Sequence, residues 1–130
     1  MKCLDTDLLI AILRGKKEAY SKVTEIDEGG RGATTSINVF EIFFGAHRSE
    51  RSVENLQEAS KLLNRLEVIP LDFMSSRRAA EISAKLAAKG EVIDYRDAMI
   101  AGIAMENDLV LITRNKSHFN RIKGLKLETW

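Results

Sequence analysis

The chain has 130 residues, 45% of them hydrophobic and 30% charged, enough for one domain that buries roughly two-thirds of the surface its unfolded form exposes, with no need of disulfides or a structural metal. Twenty Lys and Arg against 19 Asp and Glu leave a formal charge of +1, so bulk electrostatics give no argument for a polyanionic partner, and only the distribution of charge can. The single Cys3 excludes an intramolecular disulfide and a zinc–thiolate cluster, while the absence of a signal-peptide core or a bilayer-length apolar run leads us to expect a cytoplasmic protein with no membrane attachment.

Residues 1–4 read as a short strand running into Asp5-Thr6-Asp7, and residues 8–13 as a brief apolar helix that Thr6 or Asp7 can cap and Gly15 ends. Residues 16–28 are helix-compatible, with Tyr20, Val23 and Ile26 about three apart, and Gly29, Gly30 and Gly32 stop them in a turn. A second strand follows at 33–35. Ser36 is placed to cap a strongly apolar helix over 37–47, and a polar joint at Ser49 leads to a helix over 53–66. Val68 and Ile69 form a third strand, and Asp72 caps a long amphipathic helix through Ala88 that Gly90 closes. Residues 95–107 are helical, 109–112 form an apolar run too short for a helix and suited to a central strand, and 125–129 add an edge strand. Strands alternating with helices over 1–130 predict a single three-layer α/β domain around a mainly parallel sheet of four or five short strands. In such sheets ligands sit at the carboxyl ends of the strands, where Asp5, Thr35-Ser36 and Thr113-Arg114-Asn115 all fall.

Three carboxylates, Asp5, Glu41 and Asp97, stand where an apolar element ends or inside an apolar helical face. An unpaired buried carboxylate is costly enough that it neutralises, pairs with a cation or binds a metal. Asp5 in a strand-to-helix turn also suits an N-cap. Glu41 shares a helical face with Ile37, Phe40 and Phe44, and its plainer role is a salt bridge at the rim. Asp97 has Ile100, Ala101 and Ala104 on its face, with Asp94 one turn earlier as either a further ligand or the cap of that helix. An all-oxygen set of this kind suits Mg2+ or Mn2+, whereas one cysteine and two histidines, His47 and His118, in no ligand spacing and expected at the surface, do not suit softer metals. Gly29-Gly30-Arg31-Gly32 lacks the lysine of a phosphate loop and precedes a strand.

Arg114, Lys116, Arg121, Lys123 and Lys126 lie together with no acidic residue between them, and Arg14, Lys16 and Lys17 form a second basic group after the first helix. Cations flanking an acidic metal centre are what a phosphodiester substrate requires, with Arg14, Arg114 and Lys116 as the candidate contacts. A solvated charged surface is the alternative.

At this point the residues resemble a known family, the PIN-domain ribonucleases of the VapC toxin type. Leu4-Asp5-Thr6-Asp7 with Leu13-Arg14-Gly15 looks like its opening block, and the run from Thr35 to Glu41 like its second acidic block. The run from Asp94 to Ala101 is similar to its aspartate-plus-apolar helix, and Leu111-Ile112-Thr113-Arg114-Asn115 with Phe119 to its closing strand and turn. The resemblance implies a PIN-like fold and Mg2+- or Mn2+-dependent hydrolysis of RNA phosphodiesters by a toxin. It places Asp5, Glu41 and Asp97 at the principal metal-binding and catalytic positions, with Thr6 and Thr113 orienting them. It also implies a homodimer and a cognate VapB-like antitoxin lying over the cleft, and the aromatic excess of Phe40, Phe43 and Phe44 on one helix suits an interface. One departure stands out: many members carry an aspartate where this chain has Asn115, which removes an anionic ligand, and Asp94 is the candidate to compensate.

Three rival readings follow from the same residues. Asp5-Thr6-Asp7 faintly resembles the nucleophile turn of haloacid-dehalogenase phosphatases, though the later block is a poor match. A DNA-directed nuclease of the same fold would carry more acidic ligands and longer insertions. A catalytically weak or inactive PIN-fold protein that binds RNA or an antitoxin without turnover is the third, and Asn115 is the residue that suggests it.

Overall fold

Short apolar runs make short strands. In the computed structural model, which describes residues 1–130, these are β1 (Lys2–Leu4), β2 (Ala33–Thr35), β3 (Glu67–Ile69), β4 (Val110–Ile112) and β5 (Leu127–Glu128). They pair in the order β3-β2-β1-β4-β5, and every pairing is parallel. Seven helices connect and cover them: α1 (Thr6–Leu13), α2 (Lys17–Glu28), α3 (Ser36–Arg48), α4 (Ser52–Asn64), α5 (Phe73–Ala88), α6 (Tyr95–Glu106) and α7 (Lys116–Phe119).

Alternation along the two central strands divides the core. Cys3 pairs with Leu111 and Leu4 with Ile112, and successive strand residues point to opposite faces. Cys3 and Leu111 therefore pack with Ala79, Ile82, Leu86, Ile100, Ala101 and Ala104 of α5 and α6. Leu4 and Ile112 pack on the other face with Leu8, Leu9, Ile26, Ile42, Ala59 and Leu63 of α1 to α4. Helices α5 and α6 come unusually close at Gly102, where a Cβ would lie 2.6 Å from the Ser75 carbonyl oxygen. No helix is long and apolar enough to cross a membrane.

The predicted order of elements is the observed one, with most ends within two residues of expectation, and the exceptions are informative. Helix α3 is capped by Thr35, not Ser36. The extended backbone ends at Thr35, whose hydroxyl accepts from the Asn38 amide (3.2 Å) while the Asn38 side chain accepts from the Thr35 amide (3.2 Å), a reciprocal capping box. The Ser36 hydroxyl instead accepts from the Leu71 amide at 3.1 Å. Asp5 holds the N-cap position of α1 but its side chain makes no capping bond, and neither Thr6 nor Asp7 caps that helix. Asp72 caps α5 as expected, in a box with Ser75. The single-turn α7 was not foreseen: four residues are too few to show a helical period.

The apolar face read on α3 also divides. Ile42 and Ala46 enter the core, but Phe40 and Phe44 are 58% and 50% exposed. They stack on each other with ring centres 5.8 Å apart, and the Arg48 guanidinium lies 5.4 Å from the Phe44 ring. Glu41 thus sits at the border between core and an exposed aromatic strip, not inside a buried stripe.

Candidate active site

The carboxyl ends of β1 and β4 lie side by side, with Leu4 opposite Ile112, so the residues that follow, Asp5 and Thr113, must meet. The Thr113 hydroxyl donates to Asp5 Oδ2 at 2.7 Å. Asp5 Oδ1 accepts from Asn38 Nδ2 at 3.0 Å, and the same amide reaches Thr6 Oγ1 at 2.9 Å. Thr6 then donates to Glu41 Oε1 at 2.9 Å. On the other flank the Asn115 amide donates to Thr113 Oγ1 (3.0 Å), the Asn115 side chain meets His118 Nδ1 (2.9 Å), and that nitrogen lies 3.1 Å from Asp97 Oδ2. Glu41 and Asp5, far apart in sequence, therefore belong to one hydrogen-bond network, and Asp97 stands on its other flank beside His118. Thr6 and Thr113 orient the acids as expected.

Asp5 is the least solvated of the three, at 6% exposure. Burial pushes its carboxyl up to about 6, with the Asp7 carboxylate adding to the rise and the hydrogen bonds from Thr113 and Asn38 opposing it. No cation of the chain pairs with it. Glu41 has Arg96 at 3.6 Å and Asp97 has His118.

The PIN domain family model matches residues 2–125. The chain is 33% identical over 127 residues to the tRNA(fMet)-specific endonuclease VapC of Salmonella typhimurium, covering 98% of this chain and 96% of that one. The chain belongs to the PIN-domain family, on its VapC branch. The corresponding protein of Shigella flexneri is 28% identical over the same share. Among solved structures, VapBC2 from Rickettsia felis bound to a promoter DNA fragment superposes with a TM-score of 0.92 at 26% identity, over 99% of this chain and 98% of that one. DNA-bound VapBC from Salmonella typhimurium superposes at 0.90 and 33% identity, over 100% and 98%.

Within this PIN domain the donor set is all oxygen, which fits a hard divalent cation, and the buried Asp5 carboxylate without a cation is the feature such an ion would satisfy. Asp5 and Glu41 are joined through amide and hydroxyl bridges and Asp97 meets His118; no three Asp, Glu, His or Cys side chains converge into a closed ligand cage. Asp94 is not joined to them. It caps α6 through the Arg96 amide (2.8 Å) and pairs with the Arg96 side chain (3.2 and 3.3 Å), which holds its carboxyl below the usual range. Both Asp94 oxygens face Arg96, and the Asn115 side chain turns to His118.

The basic run also divides. Arg121 donates to the Val92 and His118 carbonyls and Lys126 pairs with Asp108, so both serve the fold. Lys116 is exposed at the start of α7. Arg14 closes α1 and lines two adjoining cavities, one of roughly 290 Å³ with Glu41 and one of roughly 430 Å³ with Asp7 and Arg114. The largest groove, roughly 580 Å³ between α5 and α6, is mostly apolar and contains none of the three acids.

Four residues of the site escaped the sequence reading. Asn38 is fully buried and uses all four of its hydrogen-bonding positions, and its signal was the offset of three from both Thr35 and Glu41. His118 was read as a plain surface residue; it is exposed, yet its Nδ1 is on Asp97. Asp7 and Trp130, joined at 3.2 Å, are 123 positions apart, and no local pattern links them.

Proposed function

We propose that this protein is a metal-dependent endoribonuclease that hydrolyses RNA phosphodiester bonds as the toxin of a toxin–antitoxin pair, with Mg2+ or Mn2+ as cofactor. One observation carries the reading: Asp5, a buried carboxylate without a cation, stands at the strand ends, tied through Asn38 and Thr6 to Glu41, with Asp97 on the other flank beside His118. A bound divalent ion supplies Lewis-acid stabilisation of phosphoryl charge and a water of lowered pKa.

The chain's own residues do the rest. Asp5, Glu41 and Asp97 would hold the ion, and Thr113, Asn38 and Thr6 fix the acids by donating to them, so that little reorganisation remains when substrate arrives. Arg14, Arg114 and Lys116 hold the RNA backbone. Two relatives are named tRNA(fMet)-specific, which supports transfer RNA as the first substrate class to test. The VapBC complexes among the structural neighbours support a VapB-like antitoxin as partner. Val92 and Tyr95, 87% and 76% exposed on the rim of the apolar groove, support a protein-covered surface there, which we assign to a second copy of the chain in a cytoplasmic homodimer.

The test is incubation of purified, antitoxin-free protein with total RNA and with transfer RNA, in Mg2+, in Mn2+ and in EDTA. Discrete fragments that vanish in EDTA and with Asp97→Asn are expected. RNA bound but left intact by a folded protein in either metal would overturn the catalytic reading in favour of a binding-only protein.

A further inference from the structure

Beside the acidic site, Arg114 is held on several sides. Its guanidinium carbon lies 3.6 Å from the centre of the Trp130 ring, and its Nε donates to the Trp130 carbonyl at 2.7 Å. Its backbone amide donates to Asp7 Oδ2 at 2.8 Å, and Trp130 Nε1 donates to the other oxygen of the same carboxylate at 3.2 Å. The turn after β4, the indole and the start of α1 are thus tied together through the Asp7 side chain. Trp130 is also packed, partly buried, against the core cluster on the α1 to α4 side of the sheet, which fixes the platform.

Two consequences follow. The Nη groups of Arg114 are left without a partner in the chain, so a delocalised cation is presented flat and already ordered. The cavity it lines also holds Arg14 and Lys16, against Asp7, which is occupied by its two donors, and Glu18. An arginine fork suits two phosphate oxygens at once, and one locked in advance loses little rotamer freedom on gripping them.

We propose that Trp130 is a positioning residue that, with Asp7, pre-orders Arg114 as a phosphodiester clamp, so that the RNA strand runs from the carboxylate site across α1 through the cavity bounded by Arg14 and Lys16. This inference rests on the RNA-cleaving reading above. It assigns to an aromatic residue remote in sequence the affinity of the reaction, not its chemical step.

The experiment is a double-mutant cycle over Trp130→Leu and Arg114→Ala, with two readouts. The first is cleavage kinetics on an RNA that the wild-type protein cuts. The second is the salt dependence of binding of a labelled single-stranded RNA to protein that also carries Asp97→Asn. Trp130→Leu is expected to raise KM about tenfold with kcat changed less than about twofold. It should lower the slope of log affinity against log salt by about one, the loss of one phosphate contact. Adding it to Arg114→Ala should cost nothing further. Trp130→Phe, which keeps a stacking ring and loses only the bond to Asp7, should lie between and decides the matter if the leucine variant does not fold. Unchanged KM and salt slope in a folded variant, or a loss confined to kcat, would reduce Trp130 to a structural plug and overturn the proposal, as would additive effects in the cycle. Failure of the nuclease reading itself is separate: wild-type protein would then cut no RNA in either metal, while the binding arm still reports on the clamp.

Discussion

Replacing Asp5 with asparagine should stabilise the metal-free protein while abolishing its activity. The carboxyl rises from an ordinary 3.8 to about 6, chiefly through burial. A group whose folded pKa is raised contributes stability that is fully present below its unfolded pKa and lost as pH rises through the folded one. Above pH 7 the ionised Asp5 therefore costs the metal-free fold about 3 kcal/mol, at roughly 1.4 kcal/mol for each tenfold change in proton affinity. Asparagine fits the same place: its oxygen can accept from Asn38 Nδ2, its amide can donate to Thr113 Oγ1, and that hydroxyl can turn to Asp7 Oδ2, already 3.2 Å away. Urea unfolding in EDTA at pH 7.5 should show Asp5→Asn more stable by about 2–3 kcal/mol, and at pH 5 the gap should narrow to about half. Adding Mg2+ should stabilise the wild-type protein more than the variant, which keeps Glu41 and Asp97 but lacks the Asp5 anion. An Asp5→Asn protein less stable than wild type at pH 7.5 without metal, or a gap indifferent to pH, would refute the account of Asp5 as an uncompensated charge.

Gly102→Ala should destabilise by about 1–3 kcal/mol in the same assay, since its Cβ would meet the Ser75 carbonyl at 2.6 Å and push α5 from α6; an unchanged midpoint would show that the helices part freely. Asp72→Ala removes the cap of α5, whose bonds from Ser75 hold the Asp72 carboxyl below its usual range, and should lower the urea midpoint at neutral pH. Burial pushes the Cys3 thiol up to about 12, so Ellman's reagent should leave the native protein unlabelled and react with one thiol in urea; rapid native labelling would mean that β1 opens.

Much of the fold was legible because this sheet leaves plain marks. Residues 109–112 read as a buried central strand because both of its faces are covered by helices, and Asp72 and Gly90 bracket α5 as cap and stop. The site was legible only where chemistry contradicts its surroundings: Asp5, Glu41 and Asp97 are acids in apolar settings. Its supporting residues were not. Asn38 sits among Ile37, Val39 and Phe40, and its role depends on facing Thr6 from a different helix. Misplacing the cap at Ser36 has the same origin, since adjacent hydroxyl residues are equally good caps and only the backbone's turning point, fixed by the pairing of Thr35 with Ile69, separates them. Phe40 and Phe44 show the limit of periodicity, which marks an apolar face without saying whether the chain itself covers it.

The chain also shows, in a second place, how it treats a buried charge that serves the fold. Lys22, 9% exposed, is met by Glu128 and Glu25, and Glu128 in turn takes Lys2; the Glu128 carboxyl is held below its usual range by these partners. Both signs are present and the burial is compensated. Asp5 receives the opposite treatment. Burial raises its pKa, with the Asp7 carboxylate adding to the rise, and the Thr113 hydroxyl and Asn38 amide only partly oppose it. A fold optimised for stability alone would replace such a group, since neutral or apolar substitutes for uncompensated buried charge commonly stabilise. The two donors that do reach Asp5 orient it without neutralising it, which suits a cation from outside the chain and serves no purpose in a chain without one. The contrast between Lys22 and Asp5 is thus an argument for function made from stability, and it stands independently of the family to which the chain belongs.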